Sequence, residues 1–131
     1  MTILFAHLSG FTSFSEQHAP AAVVELLNAV WTAAVPAITT QDGVIESFAG
    51  DGLLAIFNAL GDQAHHAVWA TRPAFGLLDA VAGLAAVRGD EIPRFHIGVN
   101  SGTAFVGSMG GSGRQAFAAI GGTTNLGSRL L

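Results

Sequence analysis

The chain has no cysteine, no lysine and no tyrosine in its 131 residues. Without cysteine it forms no disulfide and offers neither a thiol nucleophile nor a thiolate ligand for zinc. Without lysine it forms no Schiff base and places no lysine on a phosphate, so all five basic residues are arginines. Without tyrosine it has no phenolic acid. Any acid–base or phosphate chemistry in this chain must therefore use other side chains.

Charge is also scarce, at 11% of residues against about 25% in typical domains. A weakly charged exterior is expected where a partner covers part of the surface, or where the composition simply favours alanine and glycine. The net charge of −4 and the lack of an arginine cluster argue against a nucleic-acid binder, which normally carries a basic stripe.

The chain shows no clear targeting or membrane signal. No basic region precedes the first apolar residues, so we expect no signal peptide. The longest charge-free stretch of the first half, 26–41, is amphipathic and interrupted by Pro36, so we expect no membrane-spanning segment. The default expectation is a cytoplasmic domain, and half of its residues are apolar, enough for one core.

Apolar periodicity predicts alternating strands and helices. Runs at 2–8, 44–49 and 53–57 are typical of strands, and 94–100 alternates with a period of two. Helical spacing predicts long helices from Pro20 and from Asp62, the second kinked or broken at Pro73. Thr12 or Ser13 is the predicted cap of a short first helix. This order predicts an α+β sandwich, with one sheet and helices packed on it.

The glycine-rich second half carries the remaining elements. Residues 103–107 and 115–119 are predicted strands, 109–114 a loop, and a final helix with a threonine cap follows 121–122. Gly50-Asp51-Gly52 has the form of a tight hairpin turn. His96 alternates away from the apolar residues of its strand, which predicts that it lies on the other sheet face, whereas His65 and His66 are predicted to be solvated.

Two short motifs carry the functional signal. They read Phe5-Ala6-His7-Leu8-Ser9-Gly10-Phe11-Thr12 and Phe48-Ala49-Gly50-Asp51-Gly52. Together they resemble the two metal-binding segments of the class III nucleotidyl cyclase catalytic domain, the domain of adenylyl and guanylyl cyclases. The resemblance implies a ferredoxin-like sandwich of mostly antiparallel sheet with helices on one face. It also implies a single cyclase-homology domain over 1–131 that is short at its C-terminal end.

The resemblance assigns the two metal-ligand positions to His7 and Asp51, where the family has two aspartates. It implies Mg²⁺ or Mn²⁺ as the cofactor of an active domain. Mg²⁺ prefers oxygen ligands, whereas imidazole suits Zn²⁺, Ni²⁺ or Cu²⁺ better. His7 has other interpretations: a partly buried histidine hydrogen-bonded to backbone, an imidazolium paired with Asp51 or a phosphate, or one ligand of a two-ligand transition-metal site. Asp51 can also be an ordinary turn aspartate.

The remaining site positions also follow from the resemblance. A triphosphate is expected at the N–H groups of a helix start, formed by Leu8, Ser9, Gly10, Phe11 and Thr12. The base-reading positions fall on Ser47 and Ala118, where the family usually has lysine and an aspartate or threonine. Asn125 and Arg129 match the family's Asn-x-x-x-Arg segment, which orients the ribose and stabilises the transition state.

Three hypotheses for the function stay open. The first is a degenerate cyclase domain, weak or inactive, that acts as a dimerising or nucleotide-binding signalling module. The second is an active adenylyl cyclase, converting ATP to cyclic AMP and pyrophosphate with atypical metal and base recognition. The third is an interaction domain that binds no nucleotide. ATP or GTP is the expected ligand of the first two, in a homodimer or a heterodimer with another cyclase-like domain.

Overall fold

A computed structural model describes residues 1–59, 64–89 and 92–131, with side chains described for all of these except 114–117. The elements in chain order are β1 (Thr2–Ser9), α1 (Phe11–Gln17), α2 (Pro20–Thr39), β2 (Val44–Ala49), β3 (Gly52–Phe57), α3 (His66–Arg88), β4 (Arg94–Ser101), β5 (Phe105–Gly111), β6 (Arg114–Ile120) and α4 (Gly122–Arg129).

The first four strands form one antiparallel sheet in the order β2-β3-β1-β4, and β5 and β6 form a separate hairpin. A strand-helix-strand-strand-helix-strand chain with this order is the ferredoxin-like arrangement. The expected α+β class is therefore confirmed, and β1 lies inside the sheet.

The long helices cover one face of the sheet because β1 alternates. Leu4, Ala6 and Leu8 point into the main core, which α2 and α3 close. Successive strand residues point to opposite faces, so Ile3, Phe5 and His7 face away from these helices. We call this second side the open face, because α2 and α3 do not cover it.

The elements that pack on the open face, β6 and α4, contact Ile3 and Phe5 of β1. Ile3 packs in a small cluster with Ala119 of β6, and α4 lies against Phe5. A Cβ at Gly127 would lie 3.2 Å from the Phe5 ring, and one at Gly98 would lie 2.9 Å from the Gly127 carbonyl oxygen. The glycines thus let α4 approach the sheet closely, and the β1 end that carries His7 stays accessible.

Both long helices pass a simple length and composition test for membrane spans. Pro20–Thr39 and His66–Arg88 are long and apolar enough to cross a bilayer. Each also turns a buried stripe to the sheet, through residues such as Ala34 and Leu77. Helices that pack into a protein core have this same character.

Some local predictions are wrong, and glycine or packing explains each. Gly10 and Gly121, at φ 74° and 146°, take the N-cap positions of α1 and α4, and neither helix has a side-chain cap. The predicted loop from 109 belongs instead to β5, which pairs with β6 as far as Gly111. Pro73 is buried and lies inside the continuous helix α3, so the predicted break is absent. The predicted helix start at Asp62 lies outside the described residues.

Candidate functional site

The hairpin between β2 and β3 holds Asp51 beside β1. Ala49 pairs with Gly52, so Gly50 and Asp51 form the predicted two-residue turn. Gly50 has a φ of 60°, a conformation that glycine adopts at little cost in such turns. The Leu8 N–H donates to the Asp51 carbonyl oxygen at 3.0 Å, and this bond fixes the turn against β1.

His7 and Asp51 interact directly through their side chains. His7 Nε2 lies 2.9 Å from Asp51 Oδ2, with the two side chains 48% and 22% exposed. Gly52 is the cross-strand neighbour of His7 and has no side chain to obstruct this contact. The predicted pairing with Asp51 is the arrangement found, and the interpretation of His7 as a histidine bonded to backbone is wrong.

This pair does not fit the two Mg²⁺ ions that the resemblance implies. Hard cations of this kind bind carboxylate and carbonyl oxygens in near-octahedral geometry. The pair provides one carboxylate, that of Asp51, and one oxygen of this carboxylate already contacts the His7 imidazole. Among residues 1–59, 64–89 and 92–131, no three histidine, aspartate or glutamate side chains already converge on a metal position. The described residues therefore do not provide the ligands that such a pair of ions requires.

A cleft of about 410 Å³ opens beside the pair, with Phe5 and Leu54 among its lining residues. Ser47 lines it as well, because the β2–β3 register shifts between Ile45 and Ser47. The extra residue of this β-bulge is Glu46, which puts Ser47 opposite Leu54 on the open face. A larger groove lies between α3 and β4, with a volume of about 550 Å³, and the described residues that line it include neither histidine nor carboxylate, so the chemistry points to the smaller cleft.

The two predicted base-reading positions lie on different sheets. Ser47 lines the cleft, where its hydroxyl donates to the carboxylate of Glu46. Ala118 lies opposite Gly107 on the separate hairpin and is nearly buried. It is not among the described residues that line the cleft.

The predicted phosphate segment is only partly available to a ligand. The Leu8 side chain is fully buried, and its N–H is bonded to Asp51. Gly10 turns the chain into α1, where the Phe14 N–H donates to the Gly10 carbonyl oxygen. The first N–H groups of a helix have no partner within the helix, so any contribution to anion binding falls to the residues after Gly10.

Asn125 and Arg129 lie on the outer surface of α4. Gly127 is the buried residue of that helix and faces the sheet. At 100° per residue, positions two before and two after it point away from the sheet. Both side chains are exposed. The structure thus keeps this pair on one helical face but turns it away from the cleft of its own chain.

Two site neighbours were not assigned a role from the sequence. Trp31 of α2 donates its Nε1–H to the Gly50 carbonyl oxygen at 3.3 Å and contacts the rings of Phe48 and Phe95. His96 is the direct cross-strand partner of His7. The alternation of β4 correctly predicted its face, but its neighbour depends on a long-range register that no local pattern encodes.

A cluster of three polar side chains, His66, Thr2 and Ser101, lies near the other end of β1. His66 Nδ1 lies 2.6 Å from the hydroxyl of Thr2, which is fully buried and also contacts Ser101 Oγ at 2.7 Å. Partial burial lowers the pKa of His66 below its ordinary value, because it weakens the hydration of the charged ring, and the positive charge of the N-terminus lowers it further. His66 is thus partly buried and bonded to a core hydroxyl, which the prediction of a solvated histidine did not include, whereas His65 is exposed as predicted.

Comparison with known proteins gives a consistent result. The family model described as the adenylate and guanylate cyclase catalytic domain matches residues 1–131. Adenylate cyclase 1 of Rhizobium meliloti is 33% identical over 99% of this chain, which spans 20% of that protein. An adenylate cyclase of Anabaena cylindrica is 30% identical, again over 99% of the chain and 26% of that protein. The chain thus spans about a quarter or less of these relatives.

Two solved structures resemble the fold closely. The guanylyl cyclase Cya2 superposes with a TM-score of 0.91 at 33% identity, covering 98% of this chain and 66% of that one. The adenylyl cyclase CyaB from P. aeruginosa gives a TM-score of 0.92 at 27% identity, covering 98% of this chain and 69% of that one.

Proposed function

Because this chain belongs to the family of adenylate and guanylate cyclase catalytic domains, we propose that it is a degenerate member. In this proposal it makes little or no cyclic nucleotide and serves as a dimerising, nucleotide-binding signalling module. The observation that carries the proposal is the contact between His7 and Asp51. The site therefore has one metal-binding carboxylate, already paired with an imidazole, whereas the family uses two carboxylates to hold its metal ions.

The expected loss of rate follows from charge. Nucleotidyl cyclisation concentrates negative charge on phosphate oxygens, and catalysis depends on groups placed to stabilise that charge. The chain has no lysine, and histidine replaces one metal-binding aspartate. Each loss of about 1.4 kcal/mol of transition-state stabilisation slows a reaction tenfold. A loss of about 3 to 4 kcal/mol here slows the reaction by about two to three orders of magnitude.

Nucleotide binding is supported by the shape of the cleft. Phe5 and Leu54 provide an apolar wall, and Ser47 and Ser128 provide one hydroxyl each. Ala118 offers no polar side-chain atom to a base. A site without purpose-built hydrogen bonds discriminates weakly between substrates that differ in their polar edges, so we propose similar, modest affinities for ATP and GTP.

A two-chain assembly is supported by α4 and the β5–β6 hairpin. Asn125 and Arg129 are exposed and are not among the described residues that line their own cleft, which supports a role at a nucleotide bound by a partner. Large apolar side chains are exposed nearby, with Phe105 71%, Met109 55% and Leu126 51% accessible. Exposed apolar surface of this kind marks interaction sites. We propose that this region pairs with a second copy or with another cyclase-like domain.

The test is purified protein with ATP or GTP, each with Mg²⁺ and with Mn²⁺. We expect nucleotide binding by calorimetry and cyclic product at background by mass spectrometry, with Arg129→Ala as the matched control. Product above background that disappears in Arg129→Ala would show an active cyclase instead. Absence of nucleotide binding in every condition would favour the interaction-domain hypothesis.

A restoration variant tests the assigned cause. The triple change His7→Asp, Ser47→Lys and Ala118→Asp returns the family's residue types at the three substituted positions. We expect it to gain measurable Mg²⁺-dependent product over the unchanged chain. No gain in a folded triple variant would contradict the assignment of the defect to these positions.

A further inference from the structure

His7 has a second histidine at its side. In the β1–β4 register His7 stands directly opposite His96. The neighbours Phe95 and Ile97 pack in the helix-side core, so His96 faces the same open side of the sheet as His7. Directly opposed residues on antiparallel strands have Cβ atoms about 4.5 to 5.5 Å apart. The two imidazoles are therefore attached close enough to each other to bind one common ion.

Asp51 supplies a third donor at a suitable separation. Its Oδ2 lies 2.9 Å from His7 Nε2. Nitrogen and oxygen ligands bind Zn²⁺ at about 2.0 to 2.2 Å, which puts two tetrahedral ligands about 3.3 Å from each other. An ion therefore needs the pair to open by only a few tenths of an ångström. The bond from the Leu8 N–H to the Asp51 carbonyl oxygen already holds the turn in place.

The third side chain has room to move to the ion. His96 is exposed on β4, which is an edge strand of the four-stranded sheet. No three such ligands converge within the described part of the chain, so the His96 ring must rotate to join the pair. Exposed side chains change rotamer within nanoseconds, and this rotation leaves the core unchanged.

We propose that His7, His96 and Asp51 form a binding site for one zinc-class transition-metal ion, with water as the fourth ligand. Two imidazoles and one carboxylate suit Zn²⁺, whereas Mg²⁺ favours oxygen ligands. The substitution that removes the family's Mg²⁺ ligand thereby creates a site for a softer metal. This inference rests on strand register and donor chemistry, and it does not require the nucleotide binding proposed above.

The experiment is Zn²⁺ titration by calorimetry on chelator-treated protein without a histidine tag and without nucleotide. Co²⁺ absorption in the visible range reports whether the ion is tetrahedral. We expect one tight site per chain, little competition from millimolar Mg²⁺, and a loss of affinity of at least about tenfold in His96→Ala. His7→Ala and Asp51→Ala should lose as much.

Two further variants make the result decisive. His65→Asn removes another exposed histidine, at a position with φ 60° that asparagine tolerates, and it should bind Zn²⁺ as the unchanged chain does. His96→Cys should retain binding, since thiolate is a strong zinc ligand. Full affinity in folded His96→Ala, an equal loss in His65→Asn, or effective competition by Mg²⁺ would each overturn the proposal. Because nucleotide is left out, failure here is separate from failure of the proposed function.

Discussion

The clearest consequence of the His7–Asp51 contact concerns the substitution His7→Asp. In the unchanged chain the His7 imidazole contacts the Asp51 carboxylate. The substitution puts a second carboxylate in the place of that imidazole. In metal-free solution the two negative charges then repel each other, whereas Mg²⁺ gains the pair of hard oxygen ligands that it prefers. The variant should therefore be less stable than the unchanged chain without metal, and it should recover stability when Mg²⁺ is added.

The magnitude follows from the separation and exposure of the side chains. Two unit charges about 4 Å apart interact by about 1 kcal/mol in water and about 4 kcal/mol at an effective dielectric constant of 20. The side chains are 48% and 22% exposed, which favours the lower part of this range. We expect a repulsion of about 1 to 2 kcal/mol, plus about 1 kcal/mol for the lost hydrogen bond.

Thermal unfolding with and without chelator measures both effects. For a domain of this size, 1 kcal/mol shifts Tm by about 3 to 5 °C. At ten times its Kd, Mg²⁺ returns about 1.4 kcal/mol. His7→Asn is the matched control, because it also loses the imidazole but adds no charge, so it should show a smaller loss and no response to Mg²⁺. An equal Mg²⁺ response in the unchanged chain, or in His7→Asn, would refute the argument.

Three further predictions concern packing, the turn and pH. Gly98→Ala should lower the free energy of unfolding by about 1 to 3 kcal/mol in denaturant titration, because its Cβ would lie 2.9 Å from the Gly127 carbonyl oxygen; a neutral result would show that α4 is not held closely. Trp31→Phe removes the donor to the Gly50 carbonyl oxygen and should cost about 0.5 to 1.5 kcal/mol, with faster amide exchange in the turn as its signature. Because burial lowers the pKa of His66, the unfolded chain binds this proton more readily, so stability should fall as the pH drops below about 6.5. His66→Asn should show a weaker fall, and an identical pH profile would contradict this reason.

The architecture was largely predictable because its patterns are local. The alternation of β4 and the apolar stripe of α2 each follow from one period, and both elements are confirmed. The strand order is not a local property, and it came from the family resemblance. The errors lie at glycine-rich junctions such as Gly10, Gly121 and the end of β5. There strand pairing and close packing decide the backbone, and residue preferences are weak.

The candidate site was predictable only in part. The turn carrying Asp51 has its own sequence signature, and the resemblance brought it together with His7. The neighbours of that pair depend on contacts between distant segments. His96 reaches His7 through strand register, and Trp31 reaches the turn through helix packing. The outward direction of Arg129 depends on which face of α4 the sheet buries, which its short helix does not reveal.

The bulge at Glu46 has a consequence for changes in chain length. Because Glu46 has no partner of its own in β3, deleting it leaves Ile45 opposite Ala55 and Ser47 opposite Leu54, in an unbroken ladder. Deleting Phe48 instead would shift Ser47 by one position and move its side chain to the opposite side of the sheet. Position 46 is therefore a point at which this hairpin tolerates the gain or loss of a residue, so natural length variation in β2 should be concentrated there.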